Sequence, residues 1–133
     1  MNEKTVLIVD DEVNILDILK ELFSGAGYKV LAAGSAEEAL DILRQESAMV
    51  MFLDLKLPGM SGVDLCKRIR KENQIAVIHA LTGYSNLFGL LECRAAGFDD
   101  FFTKPVGLPV LLKAAEHAFE KIERWKVVEY DLA

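Results

Sequence analysis

Met49-Val50-Met51-Phe52-Leu53-Asp54, continuing into Leu55-Lys56-Leu57-Pro58-Gly59, is the stretch whose reading decides the fold. Five apolar residues follow one another without a polar interruption, as in a strand covered on both faces within a parallel sheet. The run stops on a carboxylate, Pro58-Gly59 supplies a turn, and Ser61 stands where a helix cap is needed. Upstream, Val6-Leu7-Ile8-Val9 is unbroken in the same way and stops on Asp10-Asp11. Three further short runs, Tyr28 to Ala33, Ile75 to Leu81 and Phe98 to Phe102, complete a set of five.

Between these runs lie segments with apolar residues three and four apart, the spacing of one helix face. Ile15, Leu19 and Leu22 mark the first, and Ala36, Ala39, Leu40 and Leu43 the second. Val63, Cys66 and Ile69 mark the third; Leu87, Leu91 and Ala95 the fourth; Leu111, Ala115, Ala118, Ile122 and Trp125 the fifth. Ser35 with Glu38 has capping-box spacing, while Gly25-Ala26-Gly27 and Gly97 are stops. Strand and helix alternating five times predicts an α/β fold, a doubly wound five-stranded parallel sheet with five helices.

A chain of 133 residues is one domain's worth of core, and 52% hydrophobic with 27% charged residues is the balance of a globular protein. A net charge of −6 argues against direct nucleic-acid binding, which requires a basic face. No apolar run approaches the length of a membrane span, so no membrane partner is expected. Cys66 and Cys93 lack metal-ligand spacing and read as reduced, packed thiols, which by elimination suits a cytoplasmic protein. The cluster Arg68, Arg70, Lys71 reads as a solvated helix face.

Ligands of an open parallel sheet bind outside the carboxyl ends of its strands, near the switch in strand order. Asp10 and Asp11 follow the first strand and Asp54 closes the third, so if these strands are neighbours three carboxylates share one crevice. Each pair at 4 Å repels by about 4 kcal/mol at an effective dielectric of 20. A hard divalent cation relieves that repulsion, and Mg²⁺ suits a few carboxylates, a carbonyl and an incoming phosphate oxygen. Read singly, Asp11 is an ordinary helix cap and Asp54 an ordinary strand end; read together they point to a site. Thr82 ends the fourth strand and Lys104 follows the fifth, with Pro105 behind it and a candidate cis bond between them. A hydroxyl and an ammonium at that edge are suited to the outer oxygens of a phosphoryl group.

This ordered set, Asp10-Asp11, Asp54 with Pro58-Gly59, Thr82, and Lys104-Pro105, resembles the receiver domain of two-component response regulators of the chemotaxis-regulator type. The resemblance runs from about Lys4 to Trp125, so residues 1–126 read as the receiver domain and 127–133 as a tail or the end of the fifth helix. It implies a flavodoxin-like strand order of 2-1-3-4-5. It further implies that Asp54 accepts a phosphoryl group from a sensor histidine kinase or phosphotransfer protein. Mg²⁺ would be held by Asp10, Asp11, Asp54 and the backbone carbonyl of Lys56. Lys104 would pair with the phosphoryl group, while Thr82 and Phe101 would act as the switch pair. Lys56 and Tyr84, with Pro105, would flank the site, and the two larger side chains are expected to screen attacking water and lengthen the phosphoryl lifetime.

Leu87, Phe88, Leu90 and Leu91 make the start of the fourth helix apolar almost all round, which predicts an output partner or self-association there. The alternative function is an aspartate-nucleophile Mg²⁺-dependent phosphohydrolase. Enzymes of that kind resembling haloacid dehalogenases place a second acid two residues beyond the nucleophile, where this chain has Lys56. No DNA-binding, kinase or cyclase sequence follows, so the chain reads as a stand-alone receiver or a piece of a larger regulator, its own chemistry limited to self-phosphorylation and self-dephosphorylation.

Overall fold

The computed structural model describes the backbone of residues 3–83 and 87–132, and the side chains of all of these but 87, 88 and 127–132. In chain order the elements are β1 (Thr5–Val9), α1 (Val13–Gly25), β2 (Lys29–Ala33), α2 (Ala36–Gln45) and β3 (Val50–Asp54). They continue with α3 (Gly62–Glu72), β4 (Val77–Thr82), α4 (Leu87–Ala96), β5 (Asp100–Thr103) and α5 (Leu108–Leu132). All the strands pair in parallel, in the order β2-β1-β3-β4-β5. The doubly wound α/β sheet and its order are as the sequence and the resemblance led one to expect.

The unbroken apolar runs are explained by two cores, one on each side of the sheet. Side chains alternate along a strand, so Leu7, Val9, Met51, Leu53, Ile78 and Ala80 face α2, α3 and α4. Val6, Ile8, Val50, Phe52, Val77 and Leu81 face α1 and α5, where Leu19, Phe23, Leu111, Ala115 and Phe119 receive them. The winding reverses between β1 and β3, and that reversal opens the crevice in which a ligand site is expected. Ser35 Oγ accepts from Glu38 N at 3.1 Å, and Glu38 reaches back to Gly34 N at 3.2 Å. Ser61 Oγ likewise accepts from Asp64 N at 3.1 Å, so both expected caps are formed.

Several helix faces differ from their periodicity. In α4, Leu91 is 58% exposed and Ala95 is exposed, whereas Cys93 and Ala96 are buried. The small residues turn inward because α4 packs closely on α3, with Cys66 Sγ 3.5 Å from the Ala96 carbonyl oxygen. Leu87 and Phe88 lie outside the described side chains. Trp125 is 52% exposed: a 25-residue helix is about 37 Å long and by that point has outrun strands of roughly 20 Å. The fifth run begins late, since Phe98 is buried ahead of β5 rather than within it.

Arg70 overturns the reading of its cluster as a solvated face. Arg68 and Lys71 are exposed, but Arg70 Nε donates to the Gly97 carbonyl at 2.8 Å and Nη1 to that of Ala76 at 2.6 Å. Its Nη2 donates to Asp99 Oδ2 at 2.7 Å, and that carboxylate oxygen also accepts from Ile78 N at 2.8 Å. The side chain thus binds the end of α3 to β4 and to the turn after α4. Gly97, at φ +108, brings its backbone against the aliphatic stem of Arg70, where a Cβ would lie 2.8 Å from Cγ.

Candidate functional site

Strand register assembles the site. Val9 pairs with Leu53, and Asp54 pairs with Leu81, so Asp10, Asp54 and Thr82 all emerge at the same edge of the sheet. Asp10 is fully buried, Asp54 is 6% exposed and Thr82 7% exposed, whereas Asp11 stands exposed at the rim. One carboxylate oxygen from each of Asp10, Asp11 and Asp54 lies within 4.8 Å of the other two, the one such acidic group among the described residues. Asp11 does not cap α1: the capping position is Glu12, which makes no side-chain cap.

Lys104 enters from the loop after β5. Its Nζ donates to Asp10 Oδ2 at 2.7 Å and stands 3.4 Å from Asp54 Oδ2, so one ammonium answers two buried carboxylates. The lysine backbone is fixed by its N–H, which donates to the Thr82 carbonyl at 2.7 Å. The Lys104–Pro105 bond is cis, and Pro105 is exposed. The other oxygen of each carboxylate accepts from a nearby backbone amide: Glu12 N donates to Asp10 Oδ1 at 2.9 Å and Lys56 N to Asp54 Oδ1 at 3.2 Å.

Burial pushes the Asp54 carboxyl above the usual range, against the opposing pull of Lys104, and the charge of Asp10 adds to the rise. For Lys104 burial alone would lower the pKa, but its hydrogen bond to Asp10 and the charges of Asp10 and Asp54 together raise it. The crevice therefore carries more negative charge than one lysine neutralises, and all its donor atoms are oxygens. That donor chemistry fits a hard cation such as Mg²⁺ and does not fit a thiolate- or imidazole-seeking metal.

Lys56 has an exposed side chain and follows Asp54 by two positions at the start of the 55–61 loop. Phe101 is partly buried, packed against the core beneath α4, while Phe102 packs on the opposite face. Tyr84 lies outside the described residues. Cys66 and Cys93 are buried free thiols, and burial pushes Cys66 up to about 11. Sequence reasoning passed over Gly62. A Cβ there would lie 2.1 Å from the Asp54 carbonyl oxygen, so the first residue of α3 must be glycine for the chain to pass behind the acidic strand end. Only a glycine inside the first helical turn hinted at this.

The chain is similar to known proteins in both sequence and fold. The model of the response regulator receiver domain matches residues 6–116. Sporulation initiation phosphotransferase F of Bacillus subtilis is 34% identical over 116 residues, spanning 87% of this chain and 93% of that protein. A probable transcriptional regulator of Porphyridium aerugineum, ycf27, is 35% identical over 105 residues, 79% of this chain. The matched segment is only 43% of that regulator's length, so this chain spans less than half of it. Among solved structures, a CheY-like receiver domain protein from Methanospirillum hungatei superposes with a TM-score of 0.89 at 32% identity, covering 92% of this chain and 98% of that one. The chain belongs to the family of response regulator receiver domains, the phospho-acceptor switches of two-component systems.

Proposed function

We propose that Asp54 takes a phosphoryl group from a sensor histidine kinase or a phosphotransfer protein, and that Mg²⁺ is held beside it by Asp10, Asp11, Asp54 and the carbonyl of Lys56. The observation that carries this reading is the meeting of the three carboxylates within 4.8 Å, with Lys104 reaching two of them. Asp54 attacks the phosphorus with a carboxylate oxygen as the bond to the donor's imidazole nitrogen breaks, and the electron pair stays on that nitrogen. When bound, Mg²⁺ supplies positive charge to the phosphoryl oxygens and to the crowded carboxylates.

The chain's own residues do the rest. Lys104, held by its backbone to the end of β4, exchanges its contact with Asp54 for one with a phosphoryl oxygen. Thr82 offers a hydroxyl to another oxygen and moves toward it. Phe101 repacks as Thr82 moves, and because it is phenylalanine its part is packing, without a hydrogen bond. Lys56 flanks the phosphoryl group, screens attacking water and lengthens its lifetime. The receiver unit occupies residues 1–126, and its output is a change in the α4–β5–α5 face, where Leu91 already exposes an apolar side chain. No helix among the described residues is long and apolar enough to cross a membrane. The phosphohydrolase alternative lacks support, since no second acid stands two residues beyond Asp54.

Incubation with acetyl phosphate and Mg²⁺, followed by mapping of the mass gain, tests the proposal. One phosphoryl group is expected on Asp54, with none on Asp54→Asn and little without Mg²⁺. Labelling at another residue, or equal labelling in a chelator, would overturn it.

A further inference from the structure

The 55–61 loop between β3 and α3 is tied at its base, its entry and its tip, and its first amide, Leu55 N, donates to the Leu81 carbonyl of β4 at 3.0 Å. At its base Gly62 N donates to the Leu55 carbonyl at 3.0 Å. At its entry Lys56 N donates to Asp54 Oδ1 at 3.2 Å. At its tip Met60 N donates to Glu37 Oε2 at 3.1 Å, across 23 positions of sequence. The base and entry ties join the loop to the first residue of α3 and to the strand it leaves. The tip tie comes from another element, the first turn of α2.

Gly59 makes the tip tie possible. At φ +78 it turns the tip beneath the Glu37 carboxylate, and a Cβ there would lie 3.0 Å from Glu37 Oε2. Glu37 is in turn a firm anchor, because α2 is capped by Ser35 and buries Ala36 and Ala39 against the sheet. A carboxylate accepting from a backbone N–H is among the stronger kinds of hydrogen bond.

We propose that Glu37 is a positioning residue for the phospho-acceptor site: by holding the loop tip to α2 it fixes the backbone at Lys56, the proposed carbonyl ligand of Mg²⁺. This rests on the site reading given above. Mg²⁺ demands near-ideal octahedral geometry, so a loop free to wander must be ordered again each time the ion binds, and that ordering costs affinity. Glu37 touches neither the ion nor the phosphoryl group. Its loss therefore weakens Mg²⁺ binding without slowing the chemistry once the site is filled.

The test compares the full chain with Glu37→Ala and Glu37→Gln, the latter keeping an acceptor oxygen but losing the charge. Amide hydrogen exchange without Mg²⁺ should show Met60 N–H exchanging about tenfold faster in Glu37→Ala, with protection recovered in Glu37→Gln. Titration with MgCl₂ should show affinity lowered about three- to tenfold in Glu37→Ala, less than for partners that touch a ligand directly, and within about twofold of the parent in Glu37→Gln. Acetyl phosphate labelling of Asp54 should be slowed at low Mg²⁺ and restored at saturation. Faster exchange at Met60 with unchanged Mg²⁺ affinity would reduce Glu37 to a local brace and overturn the proposal. A Glu37→Gln variant as weak as Glu37→Ala would assign the effect to charge rather than to the tie, and would overturn it too. If the parent chain binds no Mg²⁺ or is not labelled at Asp54, it is the underlying site reading that fails.

Discussion

At the scale of single residues, the site depends on one side chain that is absent and one that serves twice. Gly62 leaves room for the Asp54 carbonyl, which a Cβ would approach to 2.1 Å. Because the obstacle is backbone, no rotamer relieves it, and the strand end or the first turn of α3 must shift. Gly62→Ala should lower stability by about 3 kcal/mol, read as a reduced urea midpoint, and should displace Asp54; an unaltered midpoint would contradict the packing described. Lys104 serves twice by satisfying Asp10 and Asp54 together. The acids at the strand ends could be read from the chain because a carboxylate directly after a buried apolar run has few places to go. The Lys104–Asp10 bond spans 94 positions, and only the folded sheet brings its ends together.

At the scale of elements, two internal braces join pieces distant in sequence. Arg70 ties α3 to β4 and to the turn after α4, and removing it takes the side-chain donor from the Gly97 and Ala76 carbonyls and leaves Asp99 without its guanidinium partner, though still accepting from Ile78 N. Arg70→Ala is expected to cost about 2–3 kcal/mol in chemical denaturation, whereas Arg68→Ala on the exposed side of the same helix should cost under about 0.5 kcal/mol. The second brace is an aromatic ladder across the sheet. The His79 ring stacks on Phe52 at 4.2 Å between centroids and on Phe102 at 5.9 Å, and its Nδ1 bonds the Met51 carbonyl at 2.9 Å. A carbonyl only accepts, so Nδ1 carries the proton and donates. Burial holds the His79 pKa below its usual value, against that hydrogen bond and the charges of Asp100 and Asp99, with Lys121 adding to the fall. Below about pH 6.5 the unfolded chain takes up a proton that the folded one refuses. Stability should therefore decline as pH falls through that window, by at most about 1.4 kcal/mol per pH unit from this residue. Urea unfolding between pH 7.5 and 5.5 should show a shallower decline in His79→Leu, and parallel declines would remove His79 as the cause.

At the scale of the whole molecule, Asp10, Asp54 and Thr82 emerge at one edge of the sheet while α4 exposes Leu91; the proposed switch would join the two through Thr82 at the end of β4 and Phe101 in β5. Activation with beryllofluoride should change self-association or partner capture, followed by sedimentation. Leu91→Ser should abolish that change while leaving stability within about 0.5 kcal/mol, since the side chain is 58% exposed; a full response in the variant would move the output elsewhere. The amino-acid sequence by itself determined the five strands, their parallel pairing and the acidic edge, because a strand buried on both faces must be apolar throughout and can carry charge only where it ends. The tertiary structure alone decided which helix residues turn inward. Leu91, Ala95 and Trp125 obey a helical period yet face out, since burial depends on where a neighbour stands and on where the sheet stops. It also decided the roles of Arg70, Glu37 and Gly62, whose partners are carbonyls, amides and empty space contributed by distant segments. Such contacts leave no mark in local spacing, for a side chain's hydrogen-bonding capacity is written in the sequence but its partner is chosen only when the chain closes on itself.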